Sequence, residues 1–340
     1  MKKSSILLML LATFFTQAQN QLEDLLAAGI EDAQRFATGY ISPAAEGLIV
    51  NLSNGWVQTA NVKKPLKFEI QIIGNVTFVK EEKRSFTLNT NDYNNLYFSD
   101  GSTVKEVATA FGENNPDIRV FAVVTDDTGL FEEDVEFNLP QGLASVDMSL
   151  LPTAFLQARV GIFKGTEVKF RFFPKVDYED VKSTFWGAGI QHDFTELLPA
   201  DNVWPIHLSA FIGYTSFNGS FDFTDSQIIE GTQQRFDVDL SSWLFQLQAS
   251  TKLPVINFYG GLGFITGTSD FDVLGTYTVR AGTPITEVSS TFNDPFSVKN
   301  KASGIKATLG TRLQLGFFSI YAEYNASEYS TASAGIGFGI

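Results

Sequence analysis

The sequence predicts an all-β protein: a transmembrane, antiparallel, up-and-down β-barrel of about 10–14 strands with an N-terminal helical segment. Three observations predict it. Apolar and polar residues alternate with period two through segment after segment. Short and long connections alternate along the chain. And the last residues, "TASAGIGFGI" (Thr331–Ile340), alternate Gly and Ser with apolar side chains to the end, where chain ends are ordinarily polar and frayed.

Composition supports this class. Among 340 residues there are 32 Phe and 28 Gly but 3 Met and no Cys, with 18% charged; strand formers plus turn glycines fit an all-β chain. The net charge of −14 argues against a nucleic-acid partner, which needs clustered Lys and Arg. Without Cys there are no disulfides, thiolate metal sites or lipid-modified cysteine.

The elements follow in order. "MKKSSILLMLLATFFTQAQN" joins Lys2 and Lys3 to an apolar run, Ile6–Phe15, and small residues before Ala18. It reads as a cleaved signal peptide, too short to span a bilayer as a helix. The expected division is 1–18 signal peptide, 19–62 helical hatch or plug, and 63–340 barrel. In the second part Leu22, Leu25, Leu26, Ile30, Ala33, Phe36, Ala37 and Tyr40 recur at helical spacing. Asn20 and Glu23 give a capping signal, Gly39 a stop, and Ser42-Pro43 a break.

From Lys67 the period becomes two. Phe68, Ile70, Ile72, Val76 and Phe78 share one face; Glu69, Gln71, Asn75 and Thr77 share the other, with Ile73 the exception. Alternation returns in nine later segments: 154–163, 166–173, 183–195, 205–216, 236–251, 255–266, 304–315, 317–327 and 331–340. These run about 8–14 residues, longer than ordinary globular strands and matched to a tilted membrane crossing. Every second link is short, as at Lys164-Gly165, Leu253-Pro254 and Gly316-Phe317. Long links lie near 81–148, 218–234 and 267–303, with further strand pairs expected around 118–124 and 276–279. That parity places short turns on the periplasmic side and long loops outside, with both chain ends periplasmic. The last strand is expected to pair with the first, closing the barrel as a monomer.

The motifs "NGWVQTA", "LPTAFLQARVGIFKGTEVKFRFFPK", "FWGAGIQHDFTELLP", "HLSAFIGYTSF" and "FYGGLGF" resemble, in order and over most of the mature chain, an uncharacterised family of Gram-negative outer-membrane β-barrel proteins. More distantly the layout is similar to outer-membrane long-chain fatty-acid transporters, whose N-terminal segment plugs the barrel. That resemblance implies a hatch role for Ser42, Pro43, Ala44 and Glu46, although Ser42-Pro43-Ala44 stands where that family carries Asn-Pro-Ala. Ser333, Gly335, Phe338 and Ile340 look like the barrel-assembly signal, with Ile340 in place of the usual aromatic. The partners this implies are outer-membrane lipid and the barrel-assembly machinery.

Catalytic candidates are few. His207, Ser209 and Asp193 share the inward face of neighbouring strands, a triad composition, but near a periplasmic turn. Barrel enzymes, by resemblance, work at the outer leaflet, so no enzymatic activity is expected. His192, in the Trp186–Ile190 register, is expected to face lipid or the interface. No cofactor or metal spacing occurs; the acidic stretches 126–137 and 219–231 read as solvated loops. The lumen charges carry more interest: Arg159, Glu167, Lys169, Arg171, Lys306, Arg312 and Glu323, with Arg312 diagonal to Glu323. They read either as an ion-pair lattice filling the barrel or as a basic stripe guiding an anion past a hatch. The expected function is passive transport or binding of a small hydrophobic or anionic molecule. The rival is a non-transporting surface barrel presenting acidic loops for adhesion or a partner protein.

Overall fold

The computed structural model describes residues 24–125, 132–146, 148, 150–178, 180–195, 205–223, 230–281 and 288–340. The signal-peptide residues 1–18, and parts of the two acidic stretches, lie outside the described residues.

In chain order, β1 (Phe68–Phe78) is followed by an insertion holding β2 (Ser85–Asn89), β3 (Leu96–Phe98), β4 (Val104–Ala108), β5 (Arg119–Thr125) and β6 (Glu132–Asn138). Then come β7 (Leu150–Phe163), β8 (Thr166–Tyr178), β9 (Val181–Asp193), β10 (Ile206–Asp222), β11 (Glu230–Thr251) and β12 (Ile256–Ala281). The chain ends with β13 (Val288–Asn293), β14 (Phe296–Leu315), β15 (Phe318–Ala326) and β16 (Thr331–Gly339). Ten of these close an antiparallel ring, β1-β7-β8-β9-β10-β11-β12-β14-β15-β16 and back to β1. Closure runs from Glu69 opposite Gly339 to Thr77 opposite Thr331, and it leaves no edge along that seam.

Inside and outside are reversed relative to a soluble barrel. Ile70, Ile72, Phe170, Leu247, Leu262 and Leu309 are exposed on the outer face, while Gln71, Gln157, Gln191 and Thr308 are buried within. An apolar exterior over a polar lumen is the pattern of a membrane-spanning barrel. Trp186, Tyr214 and Trp243 lie side by side on the outer face, their tilted rings with centroids 5.5 and 5.0 Å apart. Such aromatic rings mark a membrane–water boundary.

Beyond that boundary the barrel is taller than the alternation suggested. β12 runs to Ala281 and β14 begins at Phe296, so the stretches read as loops at 218–234 and 267–303 are largely strand. The strands expected at 118–124 and 276–279 do form, as β5 and the top of β12, but they are not extra staves. β5 joins β3 and β6 in a small separate sheet, β2 pairs with β4, and β13 pairs only with β12. Parts of both stretches read as solvated loops are likewise strand, in β6, β10 and β11.

The helical segment differs from its sequence reading. After a helical turn at 24–27, Gly29 breaks the chain at φ 91° and the main helix, α1, spans Ile30–Leu52. Pro43 sits inside it. Proline removes one helical hydrogen bond and crowds the carbonyl four residues back. Burial overrides that local cost: Phe36, Ala37, Ala45 and Ile49 are nearly inaccessible, packed between the insertion and the tall strands. Gly39 is not a stop either. A Cβ there would lie 2.5 Å from the Phe86 ring, so the glycine lets the insertion approach the helix.

The direction of α1 changes one expectation. Asp32 accepts hydrogen bonds from Asn94 and Asn95 of the insertion, at the long-loop end. Further on, Thr59 and Ala60 reach Ser250, and Lys63 reaches Glu69, at the short-turn end. The chain therefore enters from the long-loop end and descends through the lumen to start β1 at the other. The C-terminus does lie at the short-turn end, where Ile340 N–H donates to Phe68 O. The first described residues do not.

Candidate functional site: the plugged lumen

Every charged residue expected to face the lumen does so: Arg159, Glu167, Lys169, Arg171, Lys306, Arg312 and Glu323 are all buried. They are brought together around the segment after α1, Ser53–Lys63, which contains the "NGWVQTA" motif. Two groups can be distinguished.

The lower group is ionic. Glu69 lies 2.7 Å from Arg312 Nη2, 3.0 Å from Lys63 Nζ and 3.8 Å from Arg159 Nε. Glu167 lies 3.4 Å from both Arg159 Nε and Lys169 Nζ, and accepts the Lys63 backbone N–H at 2.8 Å. Glu69, the hub, was not among the expected site residues. Its signal was available: it stands on the polar face of β1, directly opposite Arg159 of β7. Arg312 is diagonal to Glu323 in the ladder, as the spacing implied, yet its guanidinium turns to Glu69 instead.

The upper group holds the plug through neutral oxygens. Arg171 donates to Leu52 O at 3.1 Å, Asn54 O at 2.8 Å and Gln157 Oε1 at 2.8 Å. Its guanidinium lies 3.7 Å from the Trp56 ring centroid, a cation–π contact. Lys169 donates to Trp56 O at 2.6 Å, and Lys306 to Asn54 Oδ1 at 2.9 Å. Glu323 accepts from Gly55 N–H and the Tyr259 hydroxyl. The physical logic is that of a helix C-terminus. Its last carbonyls carry partial negative charge and need donors. α1 has no basic residue in its last turn; the barrel wall supplies the cations. Gly55, at φ 75°, makes the turn. A Cβ on Gly187 would stand 3.1 Å from the Trp56 ring, so a glycine of the "FWGAGI" motif makes room for the plug's indole.

The helix residues implied by resemblance lie higher. The Ser42 hydroxyl is 2.6 Å from Asn300 Oδ1; Pro43 is within α1, and Ala44 packs against the cluster of Val79, Phe111 and Leu143. Glu46 accepts from the Tyr329 hydroxyl at 2.8 Å and lies 3.4 Å from Lys83 Nζ, itself 2.6 Å from Glu328. Burial lowers the Lys83 ammonium, but Glu328 and Glu46 outweigh it and hold it above its ordinary value. At the chain's end Ser333 and Gly335 face inward, while Phe338 and Ile340 are exposed, the Phe338 ring meeting that of Phe318 at a tilt with centroids 5.2 Å apart.

The triad composition does not assemble. His207 Nδ1 lies 2.9 Å from Asp193 Oδ2, but Ser209 Oγ accepts the Gln191 amide at 2.8 Å. His192 is on the outer face, beside Thr166 Oγ1. Among the described residues no grouping of His, Asp and Glu is arranged to hold a metal ion.

The molecule is thus a ten-stranded membrane-spanning β-barrel whose lumen is occupied by its own N-terminal segment. It belongs to the family described as "Family of unknown function (DUF6588)", which matches residues 1–340. No curated protein matches the chain. Among solved structures it is similar to the attachment invasion locus protein Ail of Yersinia pestis, at 9% identity and TM-score 0.27, covering 81% of this chain and 99% of that one. It is similar also to the translocator domain of the autotransporter NalP from Neisseria meningitidis, at 12% identity and TM-score 0.27, covering 90% and 96%. A Pseudomonas aeruginosa FadL homologue matches at 10% identity and TM-score 0.21, covering 89% and 96%. Likeness at this level carries no inference about what the chain binds.

Proposed function

We propose that the protein is exported to the outer membrane of a Gram-negative cell and serves as a closed passage for a small anionic molecule, with residues 24–62 as the hatch. One observation carries this reading. Among the described residues six cations, Lys63, Arg159, Lys169, Arg171, Lys306 and Arg312, surround the plug segment Ser53–Lys63 against three carboxylates, Glu69, Glu167 and Glu323; a further inward carboxylate, Asp193, lies at the short-turn end and is taken up by His207. The whole chain carries −14, so this positive excess is local to the lumen. A lumen lined by one sign of charge favours counter-ions of the other. Part of that excess meets the partial negative charge of the carbonyls at the end of α1; the remainder, on this reading, serves an anionic solute.

Single-channel conductance in planar bilayers tests it. The intact barrel should conduct little, and deletion of residues 24–62 should open an anion-selective pore. An unchanged conductance after deletion, or selectivity for cations, removes the reading. The second reading, a surface barrel presenting a binding face, has its own supporting observation: the insertion forms a compact body with a core at the long-loop end. A deletion variant that folds yet conducts nothing favours that alternative.

A further inference from the structure

Arg171 and Lys306 stand apart from the other lumen cations. Both are about as buried as a side chain can be, at 1% exposure, yet among the described residues neither has a carboxylate within ion-pair distance. Their acceptors are neutral: Leu52 O, Asn54 O and Gln157 Oε1 for Arg171, and Asn54 Oδ1 at 2.9 Å with Asn325 Oδ1 at 3.4 Å for Lys306. Glu323, on the same wall, directs its oxygens to Gly55 N–H, the Tyr259 hydroxyl and the Asn325 amide.

Neutral oxygens satisfy the donors, and the Glu323 carboxylate acts on both cations only from beyond ion-pair distance, so neither has a direct counter-charge, a costly state for a desolvated cation. An anionic oxygen in the same place makes charge-assisted bonds roughly twice as strong. Both cations also converge on one plug residue. Arg171 takes the backbone oxygen of Asn54 and Lys306 takes its side-chain oxygen. We propose that Arg171 and Lys306 form a binding site for a carboxylate or phosphate group, that Asn54 fills it in the resting barrel, and that an anion taking the site releases the plug. The inference rests on the reading of the barrel as an anion passage and deepens it, since the solute becomes the signal that opens its own path. Once the Asn54 contacts are lost, the ties left at this turn are Lys169 to Trp56 O and Glu323 to Gly55 N–H, and release requires these two to part as well.

The natural chain has no cysteine, so a single Ala60→Cys substitution in the full-length protein makes a clean reporter. Ala60 is 0% exposed at the short-turn end of the plug. The reporter barrel, in proteoliposomes, is labelled with a charged maleimide at constant ionic strength in chloride, in inorganic phosphate or in acetate. An anion present at ten times its dissociation constant should raise the labelling rate about tenfold, and whichever of phosphate or acetate acts identifies the group recognised. Asn54→Asp in the reporter background places a carboxylate between the two cations; labelling should fall and respond to neither anion. Arg171→Gln with Lys306→Gln should label faster from the outset and also lose the response. Labelling of the reporter that is indifferent to both anions overturns the proposal, as does a response that survives the double substitution. If the barrel lacking residues 24–62 still passes anions while labelling is indifferent, only the release mechanism falls. If that barrel passes none, the passage reading itself falls.

Discussion

Strand β11 changes its surroundings halfway along, and its two halves obey opposite rules. Below Trp243 the outward residues are Phe245 and Leu247, and the inward ones, after Leu244 at the boundary, are Gln246, Gln248 and Ser250. Above Trp243 the outward residues are Asp237 and Asp239, and the inward ones are Val238 and Leu240. β12 does the same, with Leu262 and Phe264 outward below and Phe271 and Val273 inward above. β14 repeats it: Phe296 and Val298 face in at the top, Lys306 and Arg312 at the bottom. From Gln234 to Ser250 of β11 the period of two holds while its polarity inverts. Below the aromatic boundary the outer solvent is lipid, so apolar groups point out. Above it the solvent is water, and the same inner face closes on an apolar core with α1 and the insertion. One continuous strand therefore serves as a membrane stave and as a wall of a water-soluble cap.

The sharpest way to break this comparison is to remove the acid at the centre of the polar half. Glu69→Ala leaves Arg312, Arg159 and Lys63 around an empty hub. Removing one partner of a buried ion pair costs about 3–5 kcal/mol, and the midpoint of urea unfolding, followed by heat-modifiable gel migration, should fall accordingly. Replacing Glu69 and Arg312 together by Leu should cost less than Glu69→Ala alone, since no unpaired charge remains between them. Equal losses would mean that the lattice is not a coupled unit.

What could be read in the sequence follows the same division. All ten staves were legible where their alternation met lipid, because apolar-out patterning is continuous from one strand to the next. The upper ends were not, because inversion reads as loss of pattern: 218–234 and 267–303 resemble loops once the expected face turns acidic. The helix past Pro43 was hidden for a different reason. Local propensity argues for a break there, and only the packing of Phe36, Ala45 and Ile49 against two other elements shows why none occurs. The lumen charges stand on the buried face, with Glu167 beside Arg159 and Lys169 in the hairpin where the spacing puts it, but the partners that come from the plug are not legible in the spacing. "NGWVQTA" stood out as a motif, but nothing in its spacing says that Asn54 and Trp56 would meet Arg171.

A second substitution probes the lipid half of the same strand. Leu247, 62% exposed and midway between Trp243 and Thr251, meets the hydrocarbon. Leu247→Arg should cost about 2–4 kcal/mol, the depth-dependent penalty for a cation on the lipid face near the midplane. Unfolding from phospholipid bilayers measures it. A loss below a few tenths of a kcal/mol would place Leu247 outside the hydrocarbon and shift the boundary drawn at Trp243.

Eight residues earlier, on the same outward face, the smallest effect has the opposite sign. Asp239 stands directly across from Asp270, and Asp237 across from Asp272. Asp237 has Arg235 at 3.1 Å, and Lys299 of β14 stands opposite Asp270. Asp239 has Asn218 as its hydrogen-bond partner, which offers no charge. Like charges directly opposed on neighbouring strands destabilise a sheet, so Asp239→Asn should stabilise the cap by about 0.2–1 kcal/mol. In lipid the exchange of a charge for an amide would act through desolvation and be nearly blind to salt. In water it acts through repulsion, which about 1 M salt screens within roughly 3 Å. The gain should therefore be measurable at low ionic strength and vanish at high. A gain that persists in salt would mean that the upper half of β11 is not in water, and that the inversion at Trp243 marks something other than the membrane surface.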